Sequence, residues 1–196
     1  MKKIPLLVVL ALALPTAVFA NNSVDYTNSG GTLAGTNSGL SLTGSILVVV
    51  NGITGSDLGS VSFTTGSLIS GSLQSGGTFA AGGSFIITGN GTTPDLSGTL
   101  FSGSFSGPVT WTLVTLANGT HDYTLTGTLA GTTGSGLPVQ GVAVQLTVNT
   151  GRGFFNGTAG IASGDTNILV PEPGSLSLLG TGLICVAGMV RRKLKG

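Results

Sequence analysis

The only histidine, His121, is followed directly by Asp122, and a histidine next to a carboxylate is the pair from which general-base and nucleophile-activating sites are assembled. On a strand, however, neighbouring side chains point to opposite faces, so these two cannot form a dyad with each other. A triad would need His121 to meet a distant aspartate and a serine, and the simpler reading is a sheet-edge or surface histidine near a turn. The sequence has no G-x-S-x-G, H-E-x-x-H, Walker A or dinucleotide fingerprint and no pair of metal-binding histidines. No catalytic residue, no metal and no cofactor is assigned, and the chain is read as a non-enzyme. Asp57, Asp95 and Asp165 lie in loop-like sequence and could offer oxygens to calcium. Calcium takes six to eight converging oxygens, and no repeat or loop pattern gathers these residues with Asp25 and Asp122. Trp111 and Tyr123 could form a sugar-stacking platform, but the register derived below makes them partners on an apolar face, which favours core packing.

The elements that would position these residues read as strands. Residues 21–169 contain short apolar runs rich in Val, Ile, Leu, Phe and Thr, broken by Gly, Ser and Asn, with no long helical period. Strands are expected at 41–50, 60–65, 67–73, 84–88, 99–105, 109–116, 121–129, 139–148 and 153–155, with turns at Asn51-Gly52, Asn90-Gly91 and Asn118-Gly119. A three-residue loop of Ala117, Asn118 and Gly119, with Gly119 in the left-handed position of a bulge, places Leu116 opposite Thr120. Leu113 then faces Tyr123 and Trp111 faces Leu125. Val109, Trp111, Leu113, Tyr123 and Leu125 share one face, while Thr110, Thr112, Asp122, Thr124 and Thr126 share the other, with Val114 and Leu116 as exceptions on the polar side. The segment Gly31-Thr32-Leu33-Ala34-Gly35-Thr36 recurs unchanged at 127–132, but the offsets among related fragments are irregular and do not form the fixed period of a solenoid. The expected fold is all-β, an antiparallel β-sandwich or flattened barrel, with a β-solenoid as the alternative.

The ends are of a different kind. Lys2 and Lys3 precede an apolar run from Ile4 to Leu14, and Val18 and Ala20 fit a signal-peptidase pocket, so 1–20 is read as a signal helix cut before Asn21. A second apolar stretch, 174–190, contains 17 residues without a charge and is followed by Arg191, Arg192, Lys193 and Lys195. As a helix it would reach about 25 Å, slightly short of a hydrocarbon core, a deficit that snorkelling basic side chains cover. The basic cluster acts as a membrane stop and puts the tail on the cytoplasmic side, the body outside. Cys185, the sole cysteine, falls inside this span, which excludes an intrachain disulfide. Between Asn21 and Val170 there are five aspartates, one arginine and no lysine, a net charge of −4, so the body lacks the basic patch that a nucleic-acid partner requires. Pro171 and Pro173 fix φ and lack amide donors, so the stretch around Glu172 stays extended just outside the span, in the form a protease cleft accepts.

Val170-Pro171-Glu172-Pro173-Gly174, the apolar span and the Arg191-Arg192-Lys193 stop together resemble the PEP-CTERM protein-sorting signal, over about the last 27 residues. The resemblance implies a substrate of exosortase, a membrane-embedded cysteine transpeptidase of Gram-negative bacteria that make extracellular polysaccharide. It names Pro171, Glu172 and Pro173 as the sorting motif, and signal peptidase, the exosortase-type enzyme, the membrane and exopolysaccharide as partners. The organisation expected is a signal peptide at 1–20, a β ectodomain at 21–169 and a sorting and anchor segment at 170–196, with the span at about 174–190 and a basic tail at 191–196. The protein would be held in the inner membrane and, after processing, displayed at the cell surface or in the matrix as a structural or adhesive protein. The alternative is a carbohydrate- or calcium-dependent binding module of that matrix, and exposed Ser and Thr would offer acceptors for glycans.

Overall fold

The computed structural model describes residues 22–170, which form thirteen strands and one short 3-10 turn at Pro94–Leu96. The strands are β1 (Asn22–Ser29), β2 (Thr32–Thr36), β3 (Gly39–Val50), β4 (Ile53–Thr64), β5 (Leu68–Ser72), β6 (Gly76–Phe79), β7 (Gly82–Asn90), β8 (Ser97–Phe105), β9 (Val109–Thr115), β10 (His121–Thr133), β11 (Pro138–Asn149), β12 (Thr158–Gly160) and β13 (Ser163–Val170). The pairings reduce them to eight long staves. β3 pairs with β2 over its first residues and with β1 over its last, so β1 and β2 form one stave interrupted at Gly30 and Gly31. By the same logic β4 continues as β5, β6 as β7, β8 as β9 and β12 as β13, while β3, β10 and β11 are unbroken. Each stave is antiparallel to the next, and β13 returns to lie beside β1. The sheet is therefore a closed, eight-stranded, up-and-down antiparallel barrel.

Of the architectures expected from sequence, closure selects the barrel over the sandwich, and antiparallel neighbours throughout rule out a solenoid. The signal helix and the C-terminal span lie outside the described residues, as do Val18, Ala20, Pro171, Glu172, Pro173, Arg191, Arg192, Lys193, Lys195 and Cys185. Eight strands leave an interior that side chains can fill, and alternation supplies them. Along β11, Val142, Val144, Leu146 and Val148 are buried while Ala143, Gln145 and Asn149 are exposed. Phe63, Phe85, Phe101 and Phe105 form one aromatic group of the core, with Phe63 and Phe85 stacked at 5.7 Å and Phe105 edge-on to both. The outer wall is mainly polar, as in the row Thr78, Thr110, Thr126, Gln145 and Asp165, with Ile46, Ile86, Val114 and Leu169 as exposed apolar exceptions. An apolar inside and a hydroxylated outside are the reverse of a membrane-spanning barrel, whose apolar band faces outward.

The expected strand at 153–155 is instead a loop. Phe155 is fully buried, and its amide donates to the Tyr123 hydroxyl at 3.1 Å, so the segment folds inward instead of joining the wall. The strands β1, β2, β6, β12 and β13 were not anticipated. They are short or rich in Gly, Asn, Ser and Thr, and the pairing partners on both sides supply the stability that their composition lacks.

Candidate functional site

His121 opens β10, opposite Thr115 of β9, and Thr115 Oγ1 lies 3.1 Å from its Nδ1. The Phe154 ring stacks on the imidazole at 4.3 Å and 16°. The histidine is only 8% exposed, so the expected surface position is corrected: the loop after β11 covers the ring. Asp122 points to the other face, where its carboxylate accepts from the Asn149 amide. The sequence pair is thus separated as strand geometry requires, and each member has a structural partner. Among the described residues neither Asp122 nor a serine hydroxyl hydrogen-bonds the imidazole.

Trp111 and Tyr123 are core residues. Their rings stack at 4.9 Å and 15°, both are almost fully buried, and Phe155 meets them edge-on. Their polar ends are used as well. The indole Nε1 donates to the Leu73 carbonyl at 3.0 Å and the Tyr123 hydroxyl donates to the Gln74 carbonyl at 2.6 Å, which fastens the β5–β6 turn to β9 and β10. The pairs Leu113 with Tyr123 and Trp111 with Leu125 are those derived from the hairpin, and Val114 and Leu116 are indeed exposed on the outer face. No sugar ring can reach this aromatic pair.

The aspartates are distributed over the barrel, and among the described residues no three His, Cys, Asp or Glu side chains gather into a metal-binding group. An open groove of about 340 Å³ runs over β3, β4 and β7, lined among others by Ile46, Asp57, Ser60, Thr88 and Asn90. Its polar groups serve the adjoining turns: Asn90 Nδ2 donates to the Asp57 carbonyl at 2.6 Å, Asp57 Oδ1 accepts from the Gly59 amide at 3.2 Å, and Thr92 donates to Asn90 Oδ1. Beneath it, the buried Asn28 amide donates to Ser45 Oγ at 2.7 Å, where bulges in β1 and β3 bring a polar pair into the wall. Sequence reasoning missed this pair because a bulge shifts which residue faces inward.

The last stave leads into the sorting segment. Ile168 of β13 is buried and Leu169 is half exposed, and Pro171 follows Val170 in the chain. A proline has no amide to give to a ladder, which is a physical reason for the strand to stop there. An even number of alternating staves brings the chain back to the end of the barrel where it began, so β1 starts and β13 stops at the same end, side by side.

The family model for the PEP-CTERM protein-sorting motif matches residues 169–193, which takes in the last two residues of β13 and the tail. Neither the curated proteins nor the solved structures compared with the chain give a match. A tail of this kind implies an exported protein with the exosortase sorting system as its processing partner. Among the described residues no helix is long and apolar enough to cross a membrane.

Proposed function

We propose that the protein is a non-enzymatic structural or adhesive module, exported under the 1–20 signal, held by the 174–190 span, and processed at Pro171-Glu172-Pro173 for display at the cell surface or in the extracellular matrix. The observation that carries this reading is the direct run from a closed barrel into the sorting motif, with no second folded unit between β13 and Pro171. A barrel has no free sheet edge along its wall, which suits a body that must stay folded and unaggregated outside the cell. Its polar outer wall and filled interior support a rigid displayed body. Glu172 is the charge the sorting enzyme would recognise, with the prolines holding it extended and Arg191, Arg192, Lys193 and Lys195 stopping translocation.

The test is the intact mass and membrane partition of the mature protein, wild type against Glu172→Ala, in cells that carry the sorting machinery. Loss of the span in the wild type and its retention in the variant is the expected result. A membrane-held, unprocessed product in both would reduce the tail to an anchor and end the sorting reading.

A further inference from the structure

Phe154 is the one exposed aromatic ring among the described residues, 55% accessible, while every other aromatic side chain there is buried. It is not left loose. One face of the ring lies on His121 at 4.3 Å, and that imidazole is itself held by Thr115. The next residue, Phe155, is sunk in the core, which fixes where the backbone of Phe154 can sit. The loop before it is closed by bonds from the His121 amide to the Gly151 carbonyl at 2.7 Å, from the Thr150 amide to the His121 carbonyl at 3.0 Å, and from Thr150 Oγ1 to the Gly153 carbonyl at 2.6 Å. Two residues from Phe154 stands Arg152, exposed, and the only lysine or arginine between residues 22 and 170. This loop joins β11 to β12, at the end of the barrel opposite the one where β1 starts and β13 stops.

We propose that Phe154 and Arg152 form a binding site for a sugar acid, a pyranose ring that carries a carboxylate, within an anionic polysaccharide. The proposal rests on the reading of the barrel as an exported, displayed body and names its partner. An aromatic face presented to solvent stacks on the C–H face of a pyranose, and among the described residues only Phe154 presents one. A guanidinium recognises a carboxylate through two parallel hydrogen bonds, with geometric selectivity that an ammonium lacks. The other charges of the described body are five aspartates, so Arg152 is the one place on it where a polyanion meets an attractive charge.

The test uses the full mature chain in detergent micelles, titrated calorimetrically with an oligogalacturonate and with its methyl ester. The wild type is expected to bind the acid and to bind the ester less. Arg152→Gln should weaken binding of the acid about tenfold and abolish the preference over the ester, the scale of one charge-assisted bidentate contact. Phe154→Ala should weaken both sugars, and Phe154→Leu, which keeps an apolar cover on His121, should do the same with the fold intact by Trp111 fluorescence. No binding of the acid at millimolar concentration, equal binding of acid and ester, or unchanged binding in both Phe154 variants would overturn the proposal. Tail processing, read by intact mass, should proceed in all these variants, so a loss of sugar binding and a failure of sorting are separate outcomes.

Discussion

Tyr123 shows how much one side chain can be asked to do. Its ring stacks on Trp111, its hydroxyl donates to Gln74, and the same oxygen accepts the Phe155 amide, so three segments distant in sequence meet at one residue. Tyr123→Phe keeps the ring and leaves the buried Phe155 amide without a partner and the part-buried Gln74 carbonyl without its donor, which should cost about 1–3 kcal/mol in urea unfolding. If stability were unchanged, the hydroxyl would have no part in holding the β5–β6 turn. Tyr26 supplies a pH prediction. Burial raises its pKa above the ordinary value of 10.0. The unfolded chain therefore releases the phenolic proton first, so the contribution is fully present below about pH 10 and is lost as pH rises toward the folded value. Stability measured from pH 8 upward should fall above 10, and Tyr26→Phe should flatten that slope.

Among the elements, the β9–β10 hairpin is the most legible. Gly119 adopts φ of +78° and the Gly119 amide donates to the Leu116 carbonyl at 2.9 Å, the three-residue loop with a left-handed third position. The pairing of β4 with β7 depends on a different glycine. Gly59 has φ of +150°, and a Cβ there would stand 1.9 Å from the Thr88 carbonyl oxygen. Gly119 has open space around it. Gly119→Ala should therefore cost about 1 kcal/mol, the conformational term alone. Gly59→Ala must also push two strands apart and should cost several times more. Equal losses in thermal unfolding would contradict the close approach of these strands.

The whole barrel depends on its last stave. β13 lies between β11 and β1, and without it the ring opens and exposes two unpaired edges. A chain truncated after residue 162 is expected to lose cooperative unfolding and to aggregate, whereas one truncated after residue 170 should unfold in one transition, with Trp111 fluorescence and far-UV circular dichroism coinciding. A cooperative, monomeric product from the shorter chain would show that closure is dispensable. The sorting motif thus begins at the residues that complete the fold, since the match to the family model starts at residue 169 within β13.

Local pattern in the sequence determined the hairpin register, the burial of Trp111 and Tyr123, the separation of His121 from Asp122 and the identity of the sorting tail, because each depends on spacing over a few residues. Strands such as Asn22–Ser29, Gly76–Phe79 and Ser163–Val170 carry too little apolar alternation to announce themselves, and only their neighbours in the ring make them strands. Tertiary structure alone decided between sandwich and barrel, since closure rests on β13 meeting β1 from the far end of the body. It also decided which aromatic ring faces solvent. Phe154 and Phe155 are the same residue type side by side, and only the pocket beside Tyr123, which takes Phe155, leaves Phe154 outside on His121.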